Sequence, residues 1–249
     1  MSYQPQIWAH RGASADAPEN TMAAFELAVL ERADAIEIDV QVSSDGEVVI
    51  CHDKSLERLA GFYGLVVQTP WEELKVIDIA HHRPEAPRMA MPRLVDLLDL
   101  LEPTNMALNV ELKNSVLPMP AIERKAYELT RNFAKNHRVI FSSFNHQSMA
   151  TLLDIDASLE VAPLYSKPEE ADPFLMAGLG MKALHPHWQV LRDEDYVQRA
   201  HSAGLNMHAW TIDRQADLRR IIQARPAAVI TNLPLQMRRY VEELSQEAQ

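Results

Sequence analysis

The chain has 249 residues, a single cysteine and a formal charge of −11, from 24 basic and 35 acidic side chains. That balance argues against a nucleic-acid-binding surface, which needs basic stripes to meet phosphate, and the lone Cys51 excludes an intrachain disulfide. Apolar residues make up 47% of the chain, enough for one large α/β domain. No run approaches the roughly 18 apolar residues of a membrane span, and the first residues lack the basic and apolar regions of a secretory leader. A cytoplasmic protein is expected.

From the N-terminus onward, short β-branched runs alternate with amphipathic stretches. Strands are expected at 7–10, 35–40, 107–113, 139–144, 159–165, 182–185, 206–211 and 228–231, and helices at 21–31, 94–101, 121–136, 146–154, 194–203 and 214–224. Eight β/α units in a chain of this length predict a closed (β/α)8 TIM barrel, with an open doubly wound sheet as the alternative. The seven glycines form neither a GxGxxG nor a P-loop, which weakens nucleotide-binding versions of that alternative. One segment breaks the alternation: after strand two come the apolar run Val48-Val49-Ile50-Cys51 and an insertion at about 54–92, read as an excursion within a single domain. Asp45-Gly46 signals a two-residue hairpin. That register sets Ser44 opposite Glu47, Ser43 opposite Val48, and so Asp39 opposite His52. The polar tail at 238–249 reads as a closing helix with a frayed end.

The second strand carries the sharpest signal. In Ile36-Glu37-Ile38-Asp39-Val40, alternation sends both carboxylates to one face and the aliphatic residues to the other. Buried carboxylates need positive partners, and a hard divalent cation is one. Asn109, Glu111 and Lys113 repeat the pattern on the next strand. In a β/α barrel the site gathers at the C-terminal strand ends. His10-Arg11-Gly12, Glu37 and Asp39, His52-Asp53, and Glu111 with Lys113 are there, joined by Phe144 and Trp210-Thr211. Glu37, Asp39 and Glu111 suit Mg²⁺ or Ca²⁺; His10 and His52 suit a general acid and base; Arg11 and Lys113 suit a phosphate. Gly12 is expected to let the backbone approach the ligand, and Phe144 and Trp210 to form an apolar wall. Together these parts indicate phosphodiester cleavage of a small anionic substrate.

His10-Arg11-Gly12, Pro18-Glu19-Asn20-Thr21, Glu37-Ile38-Asp39-Val40, Asp45-Gly46, His52-Asp53, Glu111-Leu112-Lys113, Trp210-Thr211 and Thr231-Asn232-Leu233-Pro234 resemble, in order and spacing, the motifs of the glycerophosphodiester phosphodiesterases. The resemblance implies a TIM barrel with a small insertion after strand two. It implies hydrolysis of glycerophosphodiesters to sn-glycerol 3-phosphate and an alcohol, by attack of the glycerol 2-hydroxyl on phosphorus and opening of the cyclic phosphate by water. It also implies Glu37, Asp39 and Glu111 as metal ligands, His10 and His52 as the acid/base pair, and Arg11 and Lys113 on the phosphate, without saying which histidine is the base. The chain departs from the family pattern at Arg32, where glycine is usual, at Ser43-Ser44 for a Thr-Lys pair, at Leu59-Ala60 for threonines and at Asn232 for aspartate.

Other features read more plainly. His185-Pro186-His187 lacks a third ligand and is expected to be structural or at the substrate rim. His81-His82 is expected to be solvated and Cys51 to lie in the core. Ser142-Ser143 has no nucleophile elbow. A lysophospholipase D-like barrel and a catalytically silent glycerophosphate-binding barrel are the competing functions. The insertion argues against the first, and the full set of histidines and carboxylates against the second. A homodimer is left open.

Overall fold

The computed structural model describes residues 3–117, 119 and 121–247. Its strands are β1 (Gln6–His10), β2 (Ala35–Val42), β3 (Val48–Ile50), β4 (Ala107–Leu112), β5 (Val139–Ser143), β6 (Glu160–Tyr165), β7 (Ala183–Pro186), β8 (Asn206–Ala209) and β9 (Ala228–Thr231). All but β3 pair in parallel, in the order β1-β9-β8-β7-β6-β5-β4-β2, and β1 also pairs with β2, closing the ring. This is the (β/α)8 barrel; the open-sheet alternative lacks that closing ladder. Closure buries both faces of each strand, so β2 is buried along its whole length although it carries Glu37, Asp39 and Gln41.

The helices are α1 (Met22–Leu30), α2 (Glu57–Ala60), α3 (Trp71–Leu74), α4 (Leu94–Leu101), α5 (Ile122–Thr130), α6 (His146–Ile155), α7 (Pro173–Gly178), α8 (Glu194–Ser202), α9 (Gln215–Ile221) and α10 (Pro234–Glu247). The six-residue α7 is too short to show a helical period; the Asp172 side chain caps it at Leu175 N, with Pro173 in the first turn. The helix expected over 121–136 stops at Thr130, whose hydroxyl bonds back to Ala126 O (2.8 Å), and a 3-10 turn at Phe133–Lys135 follows. The closing helix starts earlier than expected, at Pro234.

Two apolar layers hold the barrel. Outside, the aliphatic faces of the strands meet α1 and α4–α10. Inside, Trp8 fills the bore among Ala35, Ala107, Ile140, Ala162, Ala183, Ala228 and Ile230, a large side chain ringed mostly by alanines so that the volume closes. The interior is therefore apolar at its base, and the ionisable residues crowd the other end.

The hairpin after β2 is shifted by one residue from expectation. Val42 pairs with Val48 and Val40 with Ile50. Gly46 N donates to Ser43 O (3.0 Å), Ser43 N to Glu47 O (2.9 Å), and Gly46 has φ +99°. The loop thus has three residues, Ser44-Asp45-Gly46, with glycine in the positive-φ position that closes such a turn. Cys51, not His52, lies opposite Asp39. Cys51 packs with Val49, Leu56, Leu59, Val66, Leu74, Ile79 and Met91 in a separate small core of the insertion.

Candidate active site

The barrel mouth is chemically divided. On one side, the ends of β1, β2 and β4 bring charges together because their registers align: His10 pairs with Glu37, and Asp39 with Glu111. Side chains two residues apart on β2 then project into the same space. Single carboxylate oxygens of Glu37, Asp39 and Glu111 all lie within 4.8 Å of one another, and all three residues are buried. Lys113 Nζ sits 2.6 Å from Glu111 Oε1 and 3.3 Å from Asp39 Oδ1; Arg11 Nε sits 3.1 Å from Asp39 Oδ2. The backbone N of Arg11 donates to Glu37 Oε2 (3.0 Å) and Asn20 Nδ2 to Asp39 Oδ2 (2.9 Å).

The protonation pattern follows from this crowding. Burial pulls Asp39 upward, but Lys113, Arg11 and His52 overcome it and hold the carboxyl well below its usual range. Burial, Asp39 and Glu111 push Glu37 well up, and burial with Asp39 pushes Glu111 to about 7. Burial lowers Lys113 and its two carboxylates raise it, with a net rise. Ionised together, the three carboxylates would carry more negative charge than the two cations neutralise, and the raised Glu37 and Glu111 are the sign of that crowding. Asp39 Oδ1 meets Lys113 Nζ but has no well-formed hydrogen bond. A buried set of convergent oxygen donors that ionise together only with added positive charge fits a hard divalent cation.

The histidines flank this cluster. His10 Nδ1 lies 2.7 Å from Asn232 Oδ1. Asn232 Nδ2 donates to Asp213 Oδ2 (2.7 Å) and its backbone N to Asp213 Oδ1 (2.8 Å). The amide is thereby oriented with its oxygen toward His10, so Nδ1 carries the hydrogen and Nε2 keeps a lone pair on the pocket side. Burial and Arg11 push His10 down to about 4. His52 Nδ1 lies 2.6 Å from Asp53 Oδ1, and Gln41 Nε2 pins the loop by donating to Cys51 O and Asp53 O (both 2.8 Å).

The opposite side is neutral. Phe144, Leu164, His185, Trp210, Thr211 and Ile230 face the charged cluster across a cavity of about 220 Å³ that also meets His10, Arg11, Glu37, His52, Glu111 and Lys113. Phe144 and Trp210 meet edge to face, 5.6 Å between centroids. Strands β4, β5 and β8 end one to two residues before expectation, so Lys113, Phe144 and Trp210 stand in the first loop positions. Thus the structure gathers His10, Arg11, Glu37, His52, Glu111, Lys113, Phe144 and Trp210 at one cavity; Asp39 lies fully buried beside it, and Gly12 and Asp53 are outside its lining.

Two smaller expectations change and one holds. Gly12 (φ +80°) approaches α1 and not the ligand: a Cβ there would lie 2.6 Å from Ala24 C. His185-Pro186-His187 is structural and at the rim, as expected: His185 is buried at the cavity with Nε2 2.8 Å from His208 Nδ1, whereas His187 meets Trp210 edge to face and accepts from Gln189 N. His81 is exposed, but His82 is partly buried with an unpartnered Nδ1. Sequence reasoning passed over Glu19, Asn20, Asp53, Arg58 and Asp213. Of these, Glu19, Asn20 and Asp53 lay inside motifs already noted. Arg58 and Asp213 sit on a short helix and a loop, where no period marks them.

Comparison with known proteins agrees with this geometry. The family model described as "Glycerophosphoryl diester phosphodiesterase family" matches residues 10–236. The chain is 35% identical over 232 residues to the uncharacterized protein YqiK of Bacillus subtilis, covering 92% of this chain and 95% of that one. It is 34% identical over 231 residues to a glycerophosphodiester phosphodiesterase of Caldanaerobacter subterraneus, covering 92% and 94%. Among solved structures, an Oleispira antarctica phosphodiesterase in complex with the product sn-glycerol-3-phosphate superposes with a TM-score of 0.87 at 28% identity, over 96% of this chain and 97% of that one. No helix among the described residues is long and apolar enough to cross a membrane. The chain therefore belongs to the glycerophosphoryl diester phosphodiesterase family of hydrolases.

Proposed function

We propose that the chain hydrolyses glycerophosphodiesters to sn-glycerol 3-phosphate and an alcohol at the divided mouth of the barrel. The observation that carries this reading is the convergence of two differently held histidines, two cations and the carboxylates Glu37 and Glu111 on one small cavity, with Asp39 beside them. The product bound in the Oleispira relative supports it. At about 220 Å³ the cavity falls below the ~300 Å³ lower end of drug-sized pockets, which favours a glycerol phosphate group over an acyl chain.

The two histidines divide the proton work. His10, with Nδ1–H committed to a neutral amide and Nε2 free, is the base that takes the proton of the glycerol 2-hydroxyl as its oxygen attacks phosphorus. His52, whose Nδ1–H faces the Asp53 carboxylate, is held as the acid that protonates the departing alcohol oxygen. In the second step the roles reverse: His52 takes a proton from water, and His10 returns one to the 2-hydroxyl as the cyclic phosphate opens. Arg11 and Lys113 meet the phosphate oxygens. Glu37, Asp39 and Glu111 would hold Mg²⁺ or Ca²⁺, which supplies positive charge for the developing phosphorane oxygens.

The test is product identity with glycerophosphocholine. Glycerol 3-phosphate plus choline is expected. Glycerol plus phosphocholine would place the scissile bond on the wrong side of phosphorus and overturn the assignment.

A further inference from the structure

The insertion enters the site through one side chain. Arg58, on α2, stands outside the barrel yet forms a fork between two site carboxylates. Its Nε donates to Asp53 Oδ2 (2.6 Å), while its two terminal nitrogens donate to Glu19 Oε2 and Oε1 (2.9 and 2.8 Å). Each carboxylate has its other commitment inside the site. Asp53 Oδ1 holds His52 Nδ1 at 2.6 Å, and Glu19 Oε1 also accepts from Arg11 at 2.9 Å. Arg11 continues to Asp39, and Asp39 to Lys113 and Glu111. One unbroken chain of charge-assisted contacts therefore runs from His52, out to Arg58, back through Glu19 and Arg11, and into the carboxylate cluster.

Such a fork differs from an ordinary surface ion pair. An isolated exposed pair contributes little because two flexible side chains must be ordered for one contact. Here the planar guanidinium spans two acids already fixed by other partners, so it sets their separation. Its base is rigid. Leu56 and Leu59, flanking Arg58, are buried in the insertion's own core, and α2 ends at Gly61 with φ +73°, packed against the His81 ring. Burial raises Asp53, but the Arg58 and His52 contacts prevail and hold its carboxyl low, so it is an anion when it faces His52.

We infer that Arg58 is a positioning residue: through Asp53 it aims His52 at the leaving alcohol, and through Glu19 it holds Arg11 against the phosphate. The inference rests on the proposed hydrolysis, with His52 as acid. It gives the insertion a part in the reaction. The two arms separate kinetically. In the first step a misaimed acid matters only when the leaving oxygen needs a proton, whereas a loosened phosphate clamp, and the second step in which His52 activates water, affect every substrate alike.

The test compares Arg58→Ala with the unaltered enzyme on two diesters of glycerol 3-phosphate. Choline leaves poorly without a proton; p-nitrophenol leaves as the anion. The expected result is a loss of about tenfold or more in the single-turnover rate of choline release, a misplacement-sized effect, with less than about threefold lost in the single-turnover rate of nitrophenol release, and a KM raised on both. Arg58→Lys, which keeps the charge but not the fork, should show the same asymmetry in weaker form and serves if the alanine variant folds poorly. Equal losses of the single-turnover release rate on both esters, or none, would overturn the inference. A wild-type enzyme inactive on both would instead defeat the hydrolysis reading. In that case the His52 Nδ1 proton resonance decides the positioning claim alone: it should move upfield in Arg58→Ala, and an unmoved signal would refute it.

Discussion

The two halves of the barrel mouth are built on the same strand framework but to opposite ends. The ends of β1, β2 and β4 carry His10, Arg11, Glu37, Asp39, Glu111 and Lys113, whereas the facing half carries Phe144, Leu164, Trp210 and Ile230. The charged half is expensive to bury and is held by an ion-pair network; in the neutral half Leu164 and Ile230 are buried while Phe144 and Trp210 stay partly open at the mouth. Charge is tolerated in a closed barrel where it is mutually compensated and ready to receive further charge. Confining it to one half leaves the other free to bind carbon.

If that division is functional, substitutions on the charged half should cost far more than those opposite. His10→Ala or His52→Ala should lower kcat by about 10²–10⁴, the usual worth of a positioned acid or base, with circular dichroism unchanged. Near-normal turnover by either variant would remove that histidine from the chemistry. Glu37→Gln or Glu111→Gln should raise the divalent-metal concentration needed for half-maximal activity by about 10–100-fold or more, since even loss of an outer partner costs that much. An unchanged requirement would take the carboxylate out of the metal site. On the neutral half, Trp210→Ala should raise KM by about three- to tenfold, the scale of a lost apolar contact, with a smaller change in kcat. A collapse of kcat there equal to that of His10→Ala would erase the distinction between the halves.

The same division has a pH signature. Glu111 is pushed to about 7 by burial and by Asp39, and a carboxylate must lose its proton to ligate. Apparent metal affinity should therefore fall as pH drops through about 7. Stability of the metal-free protein should move the other way. Because the folded pKa lies above the ordinary glutamate value of 4.5, the folded state binds the extra proton, and stability falls as pH rises from about 4.5 to 7. Melting curves with and without added metal across that range should diverge as pH rises. Curves that stay parallel would show that Glu111 does not ligate.

The charged half was far more legible in the sequence than the neutral one. Alternating acids and aliphatics on β2 and β4 violate the apolar pattern of a barrel strand, so Glu37, Asp39, Glu111 and Lys113 announced themselves. Phe144 and Trp210 obey the pattern of core residues, and only their position at strand ends marked them. The barrel was legible from the alternation of periods, but α7 was not, because six residues hold too few turns to show one. The hairpin register slipped because Asp-Gly serves both two- and three-residue loops: a type I′ two-residue turn needs positive φ at both positions, whereas here Gly46 has it and Asp45 does not. Supports such as Arg58 and Asp213 act through tertiary hydrogen bonds that no local period encodes.

The most direct test of a metal-dependent reaction on the charged half is release of glycerol 3-phosphate from glycerophosphocholine after EDTA treatment and gel filtration, with Mg²⁺ or Ca²⁺ then added back. Release that stops on chelation and returns with one of the two ions is the predicted result. Full turnover by the metal-stripped protein would contradict it and leave Glu37, Asp39 and Glu111 without the role assigned to them.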